Sequence, residues 1–379
     1  MGSCLLHLPL EEFMETFNLE KAVCNHGFFM MAPNSWIPST KTLQRPLRLA
    51  NSTTSVNVSI SHPPDSTSIV IQVHDIENVS PEDEKLILEQ VCRMLRITSR
   101  DKNNLMAFQK IHLEAEKKGF GRIFRSPTIF EDAIKSILLC NCKWKRTLDM
   151  AKALCVLQSE LANGLIAKKC ENLAEDKPST KRGLKRKKGT QKQSNKFNNS
   201  QENCSDSQLL KGEDRPWGNF PSAKEVASLD QDFLKSHCNL GYRAENIVKL
   251  AKHVVSGKLK LEEFEEAFES SSSYEIIYKE MMKIKGFGPF ACSSVMMCMG
   301  FYQVIPMDSE TIRHLEDVHG RKVPKVCMRK KLEVVQQYVK DIYDKYAPFQ
   351  SLAYWFELLE CYEEKFGKLS ELPNSVIML

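Results

Sequence analysis

The chain has 379 residues, 42% of them hydrophobic and 27% charged, which is typical of a globular protein with two or three structural units. No apolar run is long enough to cross a bilayer, so we expect no membrane partner. The 13 cysteines are scattered without a CxxC pair or metal-ligand spacing, and no secretory signal precedes them; we expect free thiols, no metal and no cofactor.

The net charge of +5 is concentrated in one segment. Nine lysines and arginines and no acidic residue lie between Lys177 and Lys196, which leaves −4 on the rest of the chain. The remainder is therefore not a broadly basic body. It can bind a polyanion only through backbone amides and a few well-placed cations.

Two runs of alternating side chains predict antiparallel strands between residues 25 and 76. Residues 62–66 have the composition of a turn and separate the runs. The alternating apolar positions are Val56, Val58 and Ile60 in the first run and Ile69, Ile71 and Val73 in the second. We expect a sheet with one solvated face, followed by a helix starting at Ser80-Pro81, within an N-terminal α+β domain of residues 1–118.

From Arg122 onward the periodicity is helical, and Ser126-Pro127 predicts the start of a buried helix. Residues 170–214 have few apolar side chains, and this composition predicts disorder. Helical periodicity resumes after that stretch. The stretch is therefore predicted to be an insertion in one helical domain, formed by residues 119–169 and 215–367, with a tail at 368–379.

The most informative segment lies between Tyr274 and His319. An amphipathic stretch is followed by the hairpin Lys285-Gly286-Phe287-Gly288-Pro289 and by a run of small residues. The two glycines leave backbone amides free at a helix N-terminus, which suits an anion. A single acid, Asp308, stands twenty residues after Gly288, where another helix begins.

This segment resembles the helix-hairpin-helix and Gly/Pro–Asp signature of the base-excision DNA glycosylase superfamily. Three further segments resemble its alkyladenine and 8-oxoguanine branches and occur in the same order: Arg125–Asp132, Leu240–Ala244 and Tyr346–Ala353. The resemblance covers most of residues 122–367 apart from the insertion. It implies a mainly α fold with an N-terminal α+β domain, and double-stranded DNA as the partner.

Within this resemblance Asp308 falls on the catalytic aspartate. Hydrolysis of an N-glycosidic bond builds positive charge on the sugar, which one carboxylate can stabilise while it orients water. The alternative is that Asp308 only caps the helix beginning at Ser309. One residue can do both.

The resemblance also contains a departure at Phe290. Lyase-competent relatives place a lysine two residues after the second hairpin glycine, whereas Lys283 and Lys285 precede the turn here. This implies a monofunctional enzyme that releases the base and leaves the abasic site intact. Phe290 resembles the aromatic residue of the alkyladenine branch, so it is the predicted base-pocket residue and an alkylated purine the favoured base.

The predicted DNA-binding residues of the hairpin are Lys285, Gly286, Phe287 and Gly288, with the glycine amides holding a phosphate oxygen. A turn that only connects two helices is the alternative, and Phe287 can equally plug the core.

The loop Leu139–Trp144 corresponds to the family segment that enters the duplex when a nucleotide is flipped out. Asn141 is the predicted inserted residue, and Trp144 is a second base-pocket candidate with packing under the loop as its alternative. For Arg243 we favour packing or a surface position over a phosphate contact.

Four expectations concern the location in the cell, the oligomeric state, an iron–sulfur cluster and the alternative function. The segment Lys181–Lys188 has the composition of a nuclear localisation signal, so we expect recognition by the import machinery and a nuclear location; a DNA tether or a solvated loop are the alternatives. We separately expect a monomer. Only Cys327 and Cys361 follow the predicted catalytic helix, so no iron–sulfur cluster is expected. A non-catalytic helix-hairpin-helix module that recognises distorted duplex is the alternative function.

Overall fold

The computed structural model describes residues 2–166, 218–266, 273–324 and 327–372. The predicted insertion at 170–214, with its basic segment Lys181–Lys188, lies outside the described residues.

The N-terminal unit contains a five-stranded antiparallel sheet in the order β1-β5-β4-β3-β2. The strands are β1 Ser3–Pro9, β2 Ser35–Ile37, β3 Thr42–Arg48, β4 Ser55–Ser61 and β5 Ser68–His74. The alternating residues of β4 and β5 are buried, as expected for a sheet with one face in the core. The predicted antiparallel sheet is confirmed.

The edge strand β1 was not predicted. It pairs along its whole length with β5, and Leu6 and Leu8 point into the core. The start of the predicted strand region was also wrong, because residues 25–34 contain only a short 3₁₀ turn, Gly27–Met30, after helix α1, Leu19–Val23. Further 3₁₀ turns are Glu11–Thr16, Pro38–Thr40 and Asp344–Tyr346.

Three helices follow the sheet: α2 Pro81–Leu95, α3 Ser99–Ile111 and α4 Leu113–Lys117. The start of α2 is as predicted, because the Ser80 hydroxyl accepts a hydrogen bond from the Asp83 amide at 3.1 Å. Its buried apolar side chains, Ile87, Val91, Met94 and Leu95, recur at helical spacing on one face. This face covers the sheet at β3.

The rest of the described chain is helical. The helices are α5 Ile129–Leu139, α6 Trp144–Ala162, α7 Ala223–Ala227, α8 Gln231–His237, α9 Arg243–Val255, α10 Leu261–Glu266, α11 Ser273–Met282, α12 Pro289–Met299, α13 Ser309–Asp317, α14 Met328–Tyr343 and α15 Gln350–Phe366. The mainly α fold with an N-terminal α+β unit is confirmed. None of the described helices is both long and apolar enough to span a membrane.

Helix α5 is the centre of the helical part and is buried around its circumference. Its predicted cap was wrong: the cap is Thr128, whose hydroxyl accepts from the Glu131 amide at 3.2 Å, and not Ser126. The Glu131 carboxylate lies in the core between Arg45 of β3, at 2.9 Å, and Lys135, at 2.7 Å. These cations hold the pKa of Glu131 at about 2 despite its burial, so the sheet and the helical domain share a charged contact.

The first residues of the predicted tail at 368–379 are packed. Leu369 and Ser370 are buried, and the Trp36 indole donates a hydrogen bond to the Ser370 carbonyl at 2.9 Å. The end of the described chain therefore lies against the N-terminal unit.

Candidate functional site

The two hairpin glycines, Gly286 and Gly288, have different structural roles. Gly286 has a φ of 95°, and a Cβ there would lie 2.7 Å from the Cβ of Asn246 on α9. Glycine is thus required both by the backbone and by the close approach of α9. Gly288 has an extended backbone, and a Cβ there would meet no atom within 4 Å. The open side of the hairpin is therefore at Gly288.

An anion-binding arrangement follows at the start of α12. The N-cap is Gly288, which offers no side-chain cap, and Pro289 occupies the first turn. The first intrahelical bond of this turn runs from the Cys292 amide to the Gly288 carbonyl at 3.0 Å, so the Phe290 amide precedes the ladder. An uncapped helix N-terminus combines unused amides with the positive end of the helix dipole, which together favour a phosphate oxygen.

Phe287 does not face outward. Its side chain is 5% exposed, and its amide donates to the Ile284 carbonyl at 3.0 Å. The core alternative therefore describes the position of the Phe287 side chain, and its role as a DNA-binding residue stays a prediction. Lys285 is exposed and forms an ion pair with Glu245 of α9, which also pairs with Lys249 at 2.8 Å.

The loop between α5 and α6 presents Asn141 to solvent. Asn141 is exposed and has a φ of 49°, a left-handed conformation that asparagine tolerates better than most residues. Arg243, which is 2% exposed, donates to the carbonyls of Ile137, Cys140 and Asn141. The Tyr242 hydroxyl donates to the Cys140 carbonyl at 3.2 Å. The packing interpretation of Arg243 is confirmed, and the residue fixes the loop that carries Asn141.

The two aromatic base-pocket candidates occupy different surroundings. Trp144 is half-buried at the start of α6, and its ring lies so close to Gly27 that a Cβ there would be 2.9 Å from the Trp144 Cη2. This contact supports packing under the loop. Phe290 is half-buried in the first turn of α12, and no hydrogen bond or ring contact between described residues joins it to Asp308.

Asp308 is the N-cap of α13, as the capping interpretation predicted. Its Oδ1 accepts hydrogen bonds from the amides of Glu310, at 2.9 Å, and Thr311, at 3.1 Å, while the Thr311 hydroxyl accepts from the Asp308 amide at 3.2 Å. The Thr311 hydroxyl also lies 3.1 Å from the Tyr354 hydroxyl of α15. Within the described residues no hydrogen bond uses Oδ2 of Asp308. One carboxylate oxygen is fixed and the other is open.

The surroundings of Asp308 change its acidity. The residue has an exposed edge, but neighbouring protein atoms displace much of the water around its carboxyl. This desolvation raises the pKa of Asp308 above its ordinary value, and the hydrogen bonds from Thr311 and Glu310 oppose the increase. A site tuned in this direction holds a carboxylate that is more basic than a fully hydrated one.

Helix α9 brings two parts of the predicted site together. Arg243 in its first turn holds the Asn141 loop, and Asn246 one turn later supports Gly286. The sequence analysis missed Thr311 and Tyr354, which orient Asp308. The signal for Thr311 was the Asp-x-x-Thr spacing of a capping box; Tyr354 is far along the chain and left no local signal.

Comparisons with known proteins follow the same picture. Models of known protein families give no match to this sequence. Curated proteins give no match either. Among solved structures, the 3-methyladenine DNA glycosylase from Archaeoglobus fulgidus is similar over 97% of this chain and 99% of that chain, with 16% identity and a TM-score of 0.51.

Two further solved structures are similar. An 8-oxoguanine glycosylase/lyase from Clostridium acetobutylicum in its apo form matches over 96% of each chain, with 14% identity and a TM-score of 0.52. MBOgg1, solved in complex with a low-affinity DNA ligand, matches over 95% of this chain and 96% of that chain, with 15% identity and a TM-score of 0.51. At such identities the likeness is one of fold: this chain has the fold of the helix-hairpin-helix DNA glycosylases.

Proposed function

We propose that this protein is a DNA N-glycosylase that hydrolyses the bond between a damaged base and its deoxyribose in double-stranded DNA. The observation that carries the proposal is the carboxyl of Asp308. One oxygen is fixed by two backbone amides at the start of α13, and the other has no hydrogen bond within the described residues. It lies twenty residues after a hairpin whose helix N-terminus is uncapped.

The chemistry follows from this geometry. As the base departs, the sugar acquires positive charge, and the open Oδ2 of Asp308 stabilises that charge and orients the attacking water. Because Oδ1 is already bonded, the carboxylate does not have to reorganise as charge develops. Thr311 and Tyr354 support this fixed orientation through their 3.1 Å hydroxyl contact.

The proposed DNA contacts are of two kinds: binding of a backbone phosphate and insertion of a side chain into the duplex. In the proposal, the amides of Gly288 and Phe290 hold a backbone phosphate and Lys285 adds a cation beside it. Asn141 enters the duplex, since a stacked base cannot expose its sugar carbon to attack. The exposed, left-handed loop position of Asn141 supports this assignment.

We also propose that the enzyme is monofunctional and prefers alkylated purines. Phe290 occupies the position of the Schiff-base lysine, and Lys283 and Lys285 are held in ion pairs with Glu280 and Glu245. The half-buried ring of Phe290 offers a π surface to a positively charged base. The solved structures of similar fold include a 3-methyladenine glycosylase and an 8-oxoguanine glycosylase/lyase, so both lesions belong in the test.

The decisive experiment is a lesion panel. Duplexes each carrying one alkylated, oxidised or deaminated base are incubated with wild-type protein and with Asp308→Asn, then treated with alkali to cut abasic sites. Release of an alkylated purine by the wild type alone supports the proposal. Tight binding to distorted duplex with no release from any member would instead support the non-catalytic DNA-binding module.

The nuclear location is a further part of the proposal. Its support is the basic composition of Lys181–Lys188, in a segment outside the described residues. Deleting residues 177–196 should reduce nuclear accumulation of a tagged protein and weaken salt-sensitive nonspecific DNA binding, while excision in short duplexes stays near the wild-type rate. Undiminished nuclear accumulation after the deletion would contradict the assignment of the signal. We further expect a monomer.

A further inference from the structure

Three side chains from two helices and a loop meet near the C-terminal end of α13, the helix capped by Asp308. His314 lies on α13, His319 follows the end of that helix, and Glu357 lies on α15. The Nε2 atoms of His314 and His319 are 3.3 and 2.9 Å from the same Oε2 of Glu357. The three potential ligand atoms all lie within 4.8 Å of one another.

The spacing of these atoms fits a tetrahedral metal. With zinc-to-ligand distances of about 2.0–2.1 Å, neighbouring ligand atoms are separated by about 3.3 Å. The His314–Glu357 contact has this length, and the His319–Glu357 contact is only slightly shorter. Two of the three ligand separations therefore already suit an ion, and the third, between the two Nε2 atoms, is within 4.8 Å.

Two further features match a metal site. The histidines are separated by four residues, within the H-x₃₋₅-H spacing of known zinc ligands. The side chain of His314 is only 1% exposed, whereas those of His319 and Glu357 are 20% and 26% exposed. The cluster thus has a buried base and a solvent edge through which an ion can enter.

Tyr343 of α14 completes the surroundings. Its hydroxyl donates to Oε2 of Glu357 at 2.6 Å and lies 3.3 Å from Nε2 of His319. A hydroxyl in this position orients the carboxylate, as outer partners of metal ligands do. The group therefore contains two imidazoles, one carboxylate and an orienting phenol, a set suited to zinc or a similar divalent transition metal.

We propose that His314, His319 and Glu357 bind one divalent transition metal ion of the zinc class, with a water molecule from the solvent edge as the fourth ligand. The ion ties the C-terminal end of α13 to α15, while Asp308 stands at the opposite end of α13. This inference does not depend on the proposed glycosylase activity. It departs from the sequence-based expectation of no metal, which considered the cysteines and not the spacing of the histidines.

The test uses the full-length protein after dialysis against a chelator. Zn²⁺ is titrated into it by calorimetry, and Co²⁺ is used as a spectroscopic probe of tetrahedral nitrogen and oxygen ligation. We expect one equivalent to bind tightly and to raise the thermal unfolding temperature. The cobalt spectrum should lack thiolate charge transfer, which separates this site from metal bound by the free cysteines.

Three variants locate the ion. His319→Ala and Glu357→Gln should lose the tight equivalent, by more than the roughly 10–100-fold cost of losing an outer partner. The matched control is His237→Ala, because His237 and Glu160 form a 2.8 Å pair that is part of no three-ligand group among the described residues. This variant should bind zinc as the wild type does.

Two results overturn the proposal. One is the absence of a stoichiometric equivalent in the wild-type titration, which would show that the cluster is only hydrogen-bonded. The other is undiminished binding in folded His319→Ala and Glu357→Gln. The wild-type titration needs no variant, so a variant that fails to fold does not remove the test. Because the readout is metal binding, an inactive glycosylase assay does not affect it.

Discussion

The Arg243 guanidinium donates a hydrogen bond to the Asn141 carbonyl at 3.3 Å, so a buried cation of α9 holds the backbone of an exposed loop. The same cation donates to two further carbonyls at the end of α5. Hydrogen bonds from Arg243 therefore fix the backbone of Asn141, and the side chain of Asn141 makes no hydrogen bond to the described part of the chain. The Asn141 side chain can therefore be replaced without removing the hydrogen bonds that hold the loop backbone.

Replacing Asn141 with glycine removes the side chain but keeps the left-handed backbone accessible. We expect the free energy of unfolding to change by less than about 1 kcal/mol. Excision from paired duplex should fall roughly 10–100-fold, the equivalent of the few kcal/mol needed to unstack a base. Single-turnover kinetics measure this loss, which should shrink when the lesion is unpaired.

The control for this prediction is Asn239→Gly. Asn239 is also exposed and has a φ of 50°, but it lies in another loop. An equal loss of excision in this variant would mean that the effect comes from loop flexibility and not from insertion.

The hairpin glycines provide a matched pair. Gly286→Ala should destabilise the protein by about 2–4 kcal/mol, since the new Cβ clashes with Asn246 and the positive φ becomes strained. Gly288→Ala should leave stability within about 1 kcal/mol because its Cβ enters open space. It should nevertheless weaken duplex binding roughly tenfold by crowding the amides. Urea unfolding and fluorescence anisotropy measure the two effects; unchanged binding by Gly288→Ala would contradict the phosphate site.

Asp308→Asn separates catalysis from capping. Asparagine caps helices as well as aspartate, so the unfolding temperature should hardly change. Loss of the charge should cost about 2–4 kcal/mol of transition-state stabilisation, while duplex binding stays within a few-fold. The control is Asp230→Asn, which changes an equivalent N-cap of α8 bonded to the amides of Asp232 and Phe233. Wild-type turnover by Asp308→Asn would refute the catalytic assignment.

The raised pKa of Asp308 predicts a pH dependence. Catalysis requires the ionised carboxyl, so the rate should fall with decreasing pH around an apparent pKa above the ordinary value of 3.8. Stability should change in the opposite sense. Since burial disfavours the charged form, wild type should lose stability relative to Asp308→Asn as pH rises from 3.8 through the folded pKa. Single-turnover pH profiles test the change in rate, and urea unfolding tests the change in stability. A rate that falls only below pH 3.8 would contradict the raised pKa of Asp308.

The monofunctional proposal predicts that borohydride does not trap the wild-type protein on DNA and that abasic sites stay uncut. Phe290→Lys should gain weak trapping, because it places an amine in the first turn of α12, at some cost in stability from partial burial. Lys283→Ala serves as a control and should leave base release intact. Efficient trapping of the unmodified protein would reveal a nucleophilic amine elsewhere.

The elements that sequence analysis predicted well are those encoded by neighbouring residues. The glycines of the hairpin, the proline at the start of α12 and the acid before α13 act within one or two turns. Position within a pattern was less certain: Ser126 and Thr128 are both capping residues, and only the folded chain decides which hydroxyl meets an amide.

Long-range partners explain what sequence analysis did not predict. Strand β1 has a short alternation, and its partner β5 begins about sixty residues later, so local periodicity gave little signal. The burial of Phe287 and of the Arg243 guanidinium depends on the packing of helices distant in sequence. The meeting of His314 and His319 with Glu357 likewise needs α15 to lie beside α13.

The support that α9 gives to both Asn141 and Gly286 has a mechanical consequence. In the proposed reaction, the start of α12 holds the phosphate and Asn141 enters the duplex. Because α9 contacts both parts, the distance between them is fixed. Insertion of Asn141 while the phosphate is held deforms the DNA, and the energy of this deformation depends on the stiffness of the base step. A lesion that weakens stacking lowers this energy. The protein would thus select sites where the DNA is easily deformed before it makes any contact with the base.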